Sequence, residues 1–347
     1  MKNYLLMVAV LLLSVKAFAQ LPPELQNPEI ISINRMPMRS SAFGFENMEK
    51  AKQYDREKSV NFFSLNGSWK FNWVQDPNQR PEKFFELGYN DANWDNFRIP
   101  ASWEVNGYGL PIYVNQPYDF AGHNLRYEKM NPPFDIPDKN NPVGSYRKKI
   151  NLPADWKGKQ VFIHVGNAKS CLFLWVNGKK VGYSEDSKLA AEFDITKFVK
   201  EGENLIAFQV YRWSDVSYLE CQDMWRMSGI TRDSYLVARN KAHLNDFEII
   251  PDLDENYVNG SLKISTQFSD LDKKDSYTLD VQLKDGDKIV TSKVISALSE
   301  KQTFDFIKSK FGLENIVYCL VHKDEKTPHF QVSIIPVDPK GKHNASH

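Results

Sequence analysis

Residues 211–230, YRWSDVSYLECQDMWRMSGI, gather the side chains best able to do chemistry: Trp213, Asp215, Tyr218, Glu220, Asp223, Trp225 and Arg226. The run is too polar for a core strand and too aromatic for a solvated loop. Carboxylates and a guanidinium group hydrogen-bond in fixed directions, and an aromatic ring packs on the apolar face of a pyranose, so the mixture suits a sugar. It also suits an edge loop whose two tryptophans plug the end of a β-sandwich and whose Arg226 is held by Asp223 or Glu220. Composition alone leaves both readings open.

A second stretch, 107–144, is dense in Tyr, Pro and Asn. Its prolines exclude central strands, and an ordered surface loop of this kind carries function more often than scaffolding. Asn115, between Tyr113 and Tyr118, is its candidate polar ligand; the competing role is a side-chain amide that caps a turn.

The elements that must position these residues read as β. Trp69-Lys70-Phe71-Asn72-Trp73 alternates aromatic with polar, and Asn66-Gly67 before it predicts a tight hairpin, as does Asn177-Gly178. Further strands are expected over 144–150, 160–165, 171–176, 180–183, 191–195, 203–210 and 234–238. With turn residues between them and no helices of βαβ length, they predict an all-β chain that opens with an antiparallel jelly-roll sandwich. After a linker near 240–244, shorter alternating runs predict a second, immunoglobulin-like sandwich. The expected order is a leader at 1–19, an N-terminal arm at 20–58, the jelly roll at 59–240, the immunoglobulin-like unit at 241–325 and an unpatterned tail at 326–347.

Lys2, the apolar run 4–15 and Ala17-Phe18-Ala19 form a secretory signal peptide cleaved near Ala19, so a secreted or periplasmic protein without a membrane anchor is expected. The 44 basic and 44 acidic residues balance, with no basic cluster to recruit nucleic acid. Cys171, Cys221 and Cys319 are odd in number and irregular in spacing, so no disulfide framework is predicted, and Cys171 reads as a buried thiol. The seven histidines never stand at ligand spacing, which gives no zinc site; His164, inside a strand, reads as structural.

The motifs RWSD and YLE.QDMWRMSGI at 212–230, with PIY.N at 111–115, NPPF at 131–134, NPVGSYR at 141–147 and WVNGK.VGYS.DS at 175–187, resemble the N-terminal half of glycoside hydrolase family 2 β-galactosidases. The resemblance implies a jelly-roll sugar-binding domain, an immunoglobulin-like domain and then a (β/α)8 barrel, which this chain does not contain. It implies that Asn115 and Asp215 reach into the barrel's pocket to contact a galactoside or galactose, with Asp215 also helping to hold sodium. Retaining glycosidases need two carboxylates about 5 to 5.5 Å apart; in the family both are barrel glutamates, as are the magnesium ligands. No catalytic residue is therefore assigned here, Glu220 and Asp223 included, and the chain alone is expected to be inactive. A free-standing carbohydrate-binding module, a partner for a separately encoded barrel, and a homo-oligomer are the other roles it fits. From Ser309 the pattern departs from the family's: Phe311-Gly312-Leu313-Glu314-Asn315-Ile316-Val317-Tyr318 stands where Pro-x-Leu-Trp and Asn-Leu-Tyr are expected, which points to a truncated or frame-shifted product.

Overall fold

The computed structural model describes residues 21–113, 136–220, 223–253, 255, 260–285, 288–296, 298–299, 301–307, 315–323 and 328–336. The leader 1–19, Asn115 and Cys221 lie outside the described residues.

Thirteen strands build the first body: β1 (Ser32–Ile33), β2 (Phe62–Ser64), β3 (Gly67–Val74), β4 (Asp95–Ile99), β5 (Ala101–Ser102), β6 (Val143–Leu152), β7 (Gln160–Val165), β8 (Cys171–Val176), β9 (Lys179–Ser184), β10 (Ala191–Asp194), β11 (Gly202–Tyr211), β12 (Gly229–Ile230) and β13 (Ser234–Arg239). They pair as a seven-stranded sheet β1-β9-β8-β11-β6-β3-β4, a four-stranded sheet β10-β7-β13-β2 and a short β12-β5 ribbon, all antiparallel. This is the antiparallel sandwich that the alternation predicts.

Strand β8 shows how period two seats the sheet. Leu172, Leu174 and Val176 face the core between the sheets with Trp69, Phe71, Trp103, Ile163 and Phe208. Cys171, Phe173 and Trp175 face the opposite side, where Leu25, Phe84 and Tyr183 cover them. Both faces are thus dry, and β8 is buried throughout. Cys171 is a free, buried thiol.

The two Asn-Gly pairs part company. Asn177 (φ 50°) and Gly178 (φ 83°) join β8 to β9 in the tight hairpin that two left-handed residues favour. At Asn66-Gly67 the hairpin expectation is corrected: β2 pairs with β13 and β3 with β4 and β6, so the chain changes sheets there. Asn66 pins that corner, donating through Nδ2 to Asp233 (3.0 Å) and accepting from the Ser234 amide (3.0 Å). Gly67, at φ +93°, supplies the backbone turn.

The second body holds β14 (His243–Leu253), β15 (Gly260–Ser269), β16 (Thr278–Asp285), β17 (Lys288–Ser296), β18 (Lys301–Ile307), β19 (Asn315–Lys323) and β20 (Pro328–Pro336). Its sheets run β14-β15-β18 and β17-β16-β20-β19, around a small core of Ile264, Phe268, Tyr277, Leu279 and Val281. One expectation changes here. Strand β20 occupies the supposedly unpatterned 326–347; Phe330, Val332 and Ile334 alternate with Gln331 and Ser333, the period of a strand. It runs parallel to β16, while the other strand pairs of this body are antiparallel. Among the described residues no helix is long and apolar enough to cross a membrane.

Candidate functional site

Strand β11 ends at Tyr211, and Arg212 begins the motif loop as a tie. Its guanidinium donates to the carbonyls of Leu110 (3.1 Å) and Arg226 (2.8 Å), lies over the Trp213 ring and sits 3.6 Å from the Glu104 carboxylate. Glu104 in turn accepts the Ser228 amide on both oxygens, and the Arg226 amide donates to Ile112 O (2.7 Å). Trp213 and Arg226 are buried. Arg212 and the Arg226 and Ser228 amides thus stitch the motif loop to residues 104–112, while of the two tryptophans only Trp213 is buried.

The remaining motif residues divide clearly. Asp223 accepts the Tyr113 hydroxyl (2.7 Å), and Trp225, 54% exposed, packs tilted against the Tyr113 ring at 5.5 Å. Glu220 closes the helical turn Ser217–Glu220 and accepts both the amide (2.7 Å) and the hydroxyl of Ser187.

Asp215 is different. It is 4% exposed, its amide donates to Leu25 O (2.9 Å), and its carbonyl accepts the Tyr218 amide. Yet neither carboxyl oxygen makes a well-formed hydrogen bond to a donor among the described residues. The group it faces is another acid, Glu185, also 4% exposed, at the end of β9. Two carboxyls can bond only if one is protonated, and the electrostatics agree. Burial first, then the Asp215 contact, push Glu185 up to about 9, against a lowering by Tyr183, whose hydroxyl donates at 2.5 Å. Burial raises Asp215 too, against smaller lowering by Glu185 and by the amides of Val216 and Asp215 itself. The loop thus holds a buried pair of acids that retains a proton above the usual carboxylate range.

Asp215 is the sequence candidate that the structure places in this pair; Asn115 lies outside the described residues. Glu185 was missed. In VGYSEDSK it follows the strand as an ordinary turn residue, and only the pairing of β9 with β8 carries it to the end of β11. His164 is structural, stacked on Tyr235 at 4.5 Å with Nδ1 3.8 Å from Glu192.

The fold is an antiparallel β-sandwich with a buried acid pair in its motif loop, and comparison with known proteins gives its family. Residues 62–240 match the family described as "Glycosyl hydrolases family 2, sugar binding domain", and the chain belongs to glycosyl hydrolase family 2. It corresponds to the N-terminal domain region of that family, homologous to β-galactosidases. It is 41% identical over 261 residues to the β-galactosidase of Priestia megaterium, covering 75% of this chain and 25% of that protein. It is 35% identical over 326 residues to the β-galactosidase of Photobacterium profundum, covering 92% and 30%. The chain thus spans roughly a quarter to a third of such relatives' length. Among solved structures, a β-glycosidase from Bacteroides vulgatus shares the fold at TM-score 0.56 and 20% identity, over 80% of this chain and 34% of that one. A Bacteroides uniformis β-glucuronidase does so at 0.55 and 19%, over 79% and 31%. Residues 299–347, including those that depart from the family's pattern, match a model described as "Plasmid recombination enzyme".

Proposed function

We propose that this chain is the non-catalytic, sugar-binding N-terminal part of a secreted family 2 β-galactosidase, supplying Asp215 and Asn115 to a pocket that a (β/α)8 barrel completes. The reaction of the whole enzyme is retaining hydrolysis of terminal β-D-galactosides, performed by two barrel carboxylates about 5 to 5.5 Å apart. Without them the chain has no turnover, and its hold on sugar is weak because one wall of the pocket is missing.

The observation that supports this reading is the Asp215 carboxyl, 4% exposed and set against the equally buried carboxyl of Glu185. Burying two facing acids leaves a need there for a proton, a hydroxyl donor or a cation. A sugar hydroxyl or a sodium ion satisfies it. Sodium fits in part: Asp215 supplies hard oxygens, while among the described residues no group of three or more His, Cys, Asp or Glu could hold a metal. When bound, the ion would neutralise the buried charge and orient a hydroxyl. Magnesium finds no ligand set among the described residues. The pairing of two acids also favours a neutral hexose over a uronic acid, whose carboxylate would add a third like charge.

Calorimetric titration of the full chain with isopropyl β-thiogalactoside tests this. A millimolar response, about −4 kcal/mol, is expected. It should be lost in Asp215→Ala, kept in Asp223→Asn and absent with a β-glucuronide. Equal binding by Asp215→Ala, or no response from the unmodified chain, would overturn the assignment. Micromolar affinity would instead favour a free-standing carbohydrate-binding module.

A further inference from the structure

The family match begins at residue 62, yet the backbone partners of both acids come from before it. The Asp215 amide donates to Leu25 O (2.9 Å) and the Glu185 amide to Ile31 O (3.0 Å). The segment is anchored at both of its ends. Leu25 is fully buried among Cys171, Phe173, Tyr183 and Tyr211. Glu24 pairs with Lys180 (2.6 Å), and its carbonyl accepts the Tyr183 hydroxyl at 3.4 Å. Strand β1 sets Ser32 against Ser184 and Ile33 against Tyr183. Asn34 donates to Val181 O (2.7 Å), and Arg35 to Glu185 O (3.1 Å) and Ser184 Oγ (3.0 Å). Gly182 permits this approach, since a Cβ there would collide with Ile33 O.

We infer that residues 24–35 are a positioning element of the sugar site, binding the Asp215 loop and the end of β9 to one rigid strip so that the Asp215 and Glu185 carboxyls meet. Burying two acids costs free energy even when they share a proton. A segment bonded to both backbones holds them facing against that cost. The functional consequence rests on the proposed role of Asp215 in binding sugar; the bracing itself does not.

Amide exchange and galactoside titration of the ¹⁵N-labelled full chain separate the two. In Leu25→Ala, which loosens the anchor, exchange at Asp215 and Glu185 should rise about tenfold or more relative to amides of β6 and β11. The response to isopropyl β-thiogalactoside should weaken by a similar factor, and Leu25→Met should restore both. Arg35→Gln leaves the core intact and should raise exchange at Glu185 severalfold; it decides the matter if Leu25→Ala does not fold. Unchanged exchange at both amides, or a rise spread evenly over β11, overturns the proposal. A wild-type chain that ignores the galactoside while its exchange follows Leu25 would refute the sugar assignment and leave the brace standing.

Discussion

A carboxyl taken out of water without a donor stays in a fold by holding a proton or a cation. Asp215 and Glu185 form a buried acid pair, and its consequence for stability has a definite sign. Glu185 is raised from the usual carboxylate range to about 9 in the fold, so its contribution is complete below the unfolded value and is lost as pH rises toward 9. The thermal midpoint of the sodium-free chain should therefore fall between roughly pH 5 and 9. Glu185→Gln, which donates permanently to Asp215, should remove that part of the slope and raise the midpoint at pH 8; melts across this range would show it, and an unchanged slope would contradict it. Asp215 was legible in the sequence because a motif surrounds it. Glu185 was not, because its meaning depends on a neighbour thirty residues away that only sheet pairing supplies.

At the scale of elements, the arm is fastened to the four-stranded sheet through Glu192. Its two oxygens receive Arg39 (3.2 and 2.7 Å) and Arg239 (2.9 and 3.1 Å). Burial alone would raise this acid, but contact with His164 and the charges of Arg239 and Arg39 prevail and hold it far below the usual range. Its stabilisation is therefore present above the unfolded carboxylate value and lost as pH falls below it. Glu192→Gln leaves two guanidinium groups unpaired and should cost about 3–5 kcal/mol by denaturant unfolding near neutral pH, with the deficit shrinking in acid. The Asn66 corner makes a separate prediction: Asn66→Ala removes hydrogen bonds to Asp233 and Ser234 and should cost about 1–3 kcal/mol. Two identical Asn-Gly pairs gave one hairpin and one corner. The dipeptide encodes a backbone turn, while β13 decides which sheet receives β2.

Across the molecule, the longer strands of the first body were readable because hydrophobic runs bounded by turn residues mark them, while the two-residue strands β1, β5 and β12 are too short to carry a pattern. The second body was less so, since β20 pairs with β16 over a separation of about fifty residues that no local pattern announces. The two bodies are joined through the same arm that braces the acids: Ser40 donates to Asp246 Oδ1 (3.0 Å) and Phe247 O (2.7 Å), and Gln160 donates to Asp270 (2.8 Å). The exposed Trp225 and Tyr113 beside Leu110, 76% exposed, lie at the loop end where a completing domain would cover them. The central claim is that Asp215 grips sugar in a pocket finished by a barrel. Grafting this chain in place of the matching region of the Priestia megaterium relative, and assaying a chromogenic β-galactoside, tests it directly. Hydrolysis that falls at least about a hundredfold in kcat/KM on Asp215→Ala, in a chimera that still folds, is the predicted result; turnover within twofold of the unsubstituted chimera would contradict it.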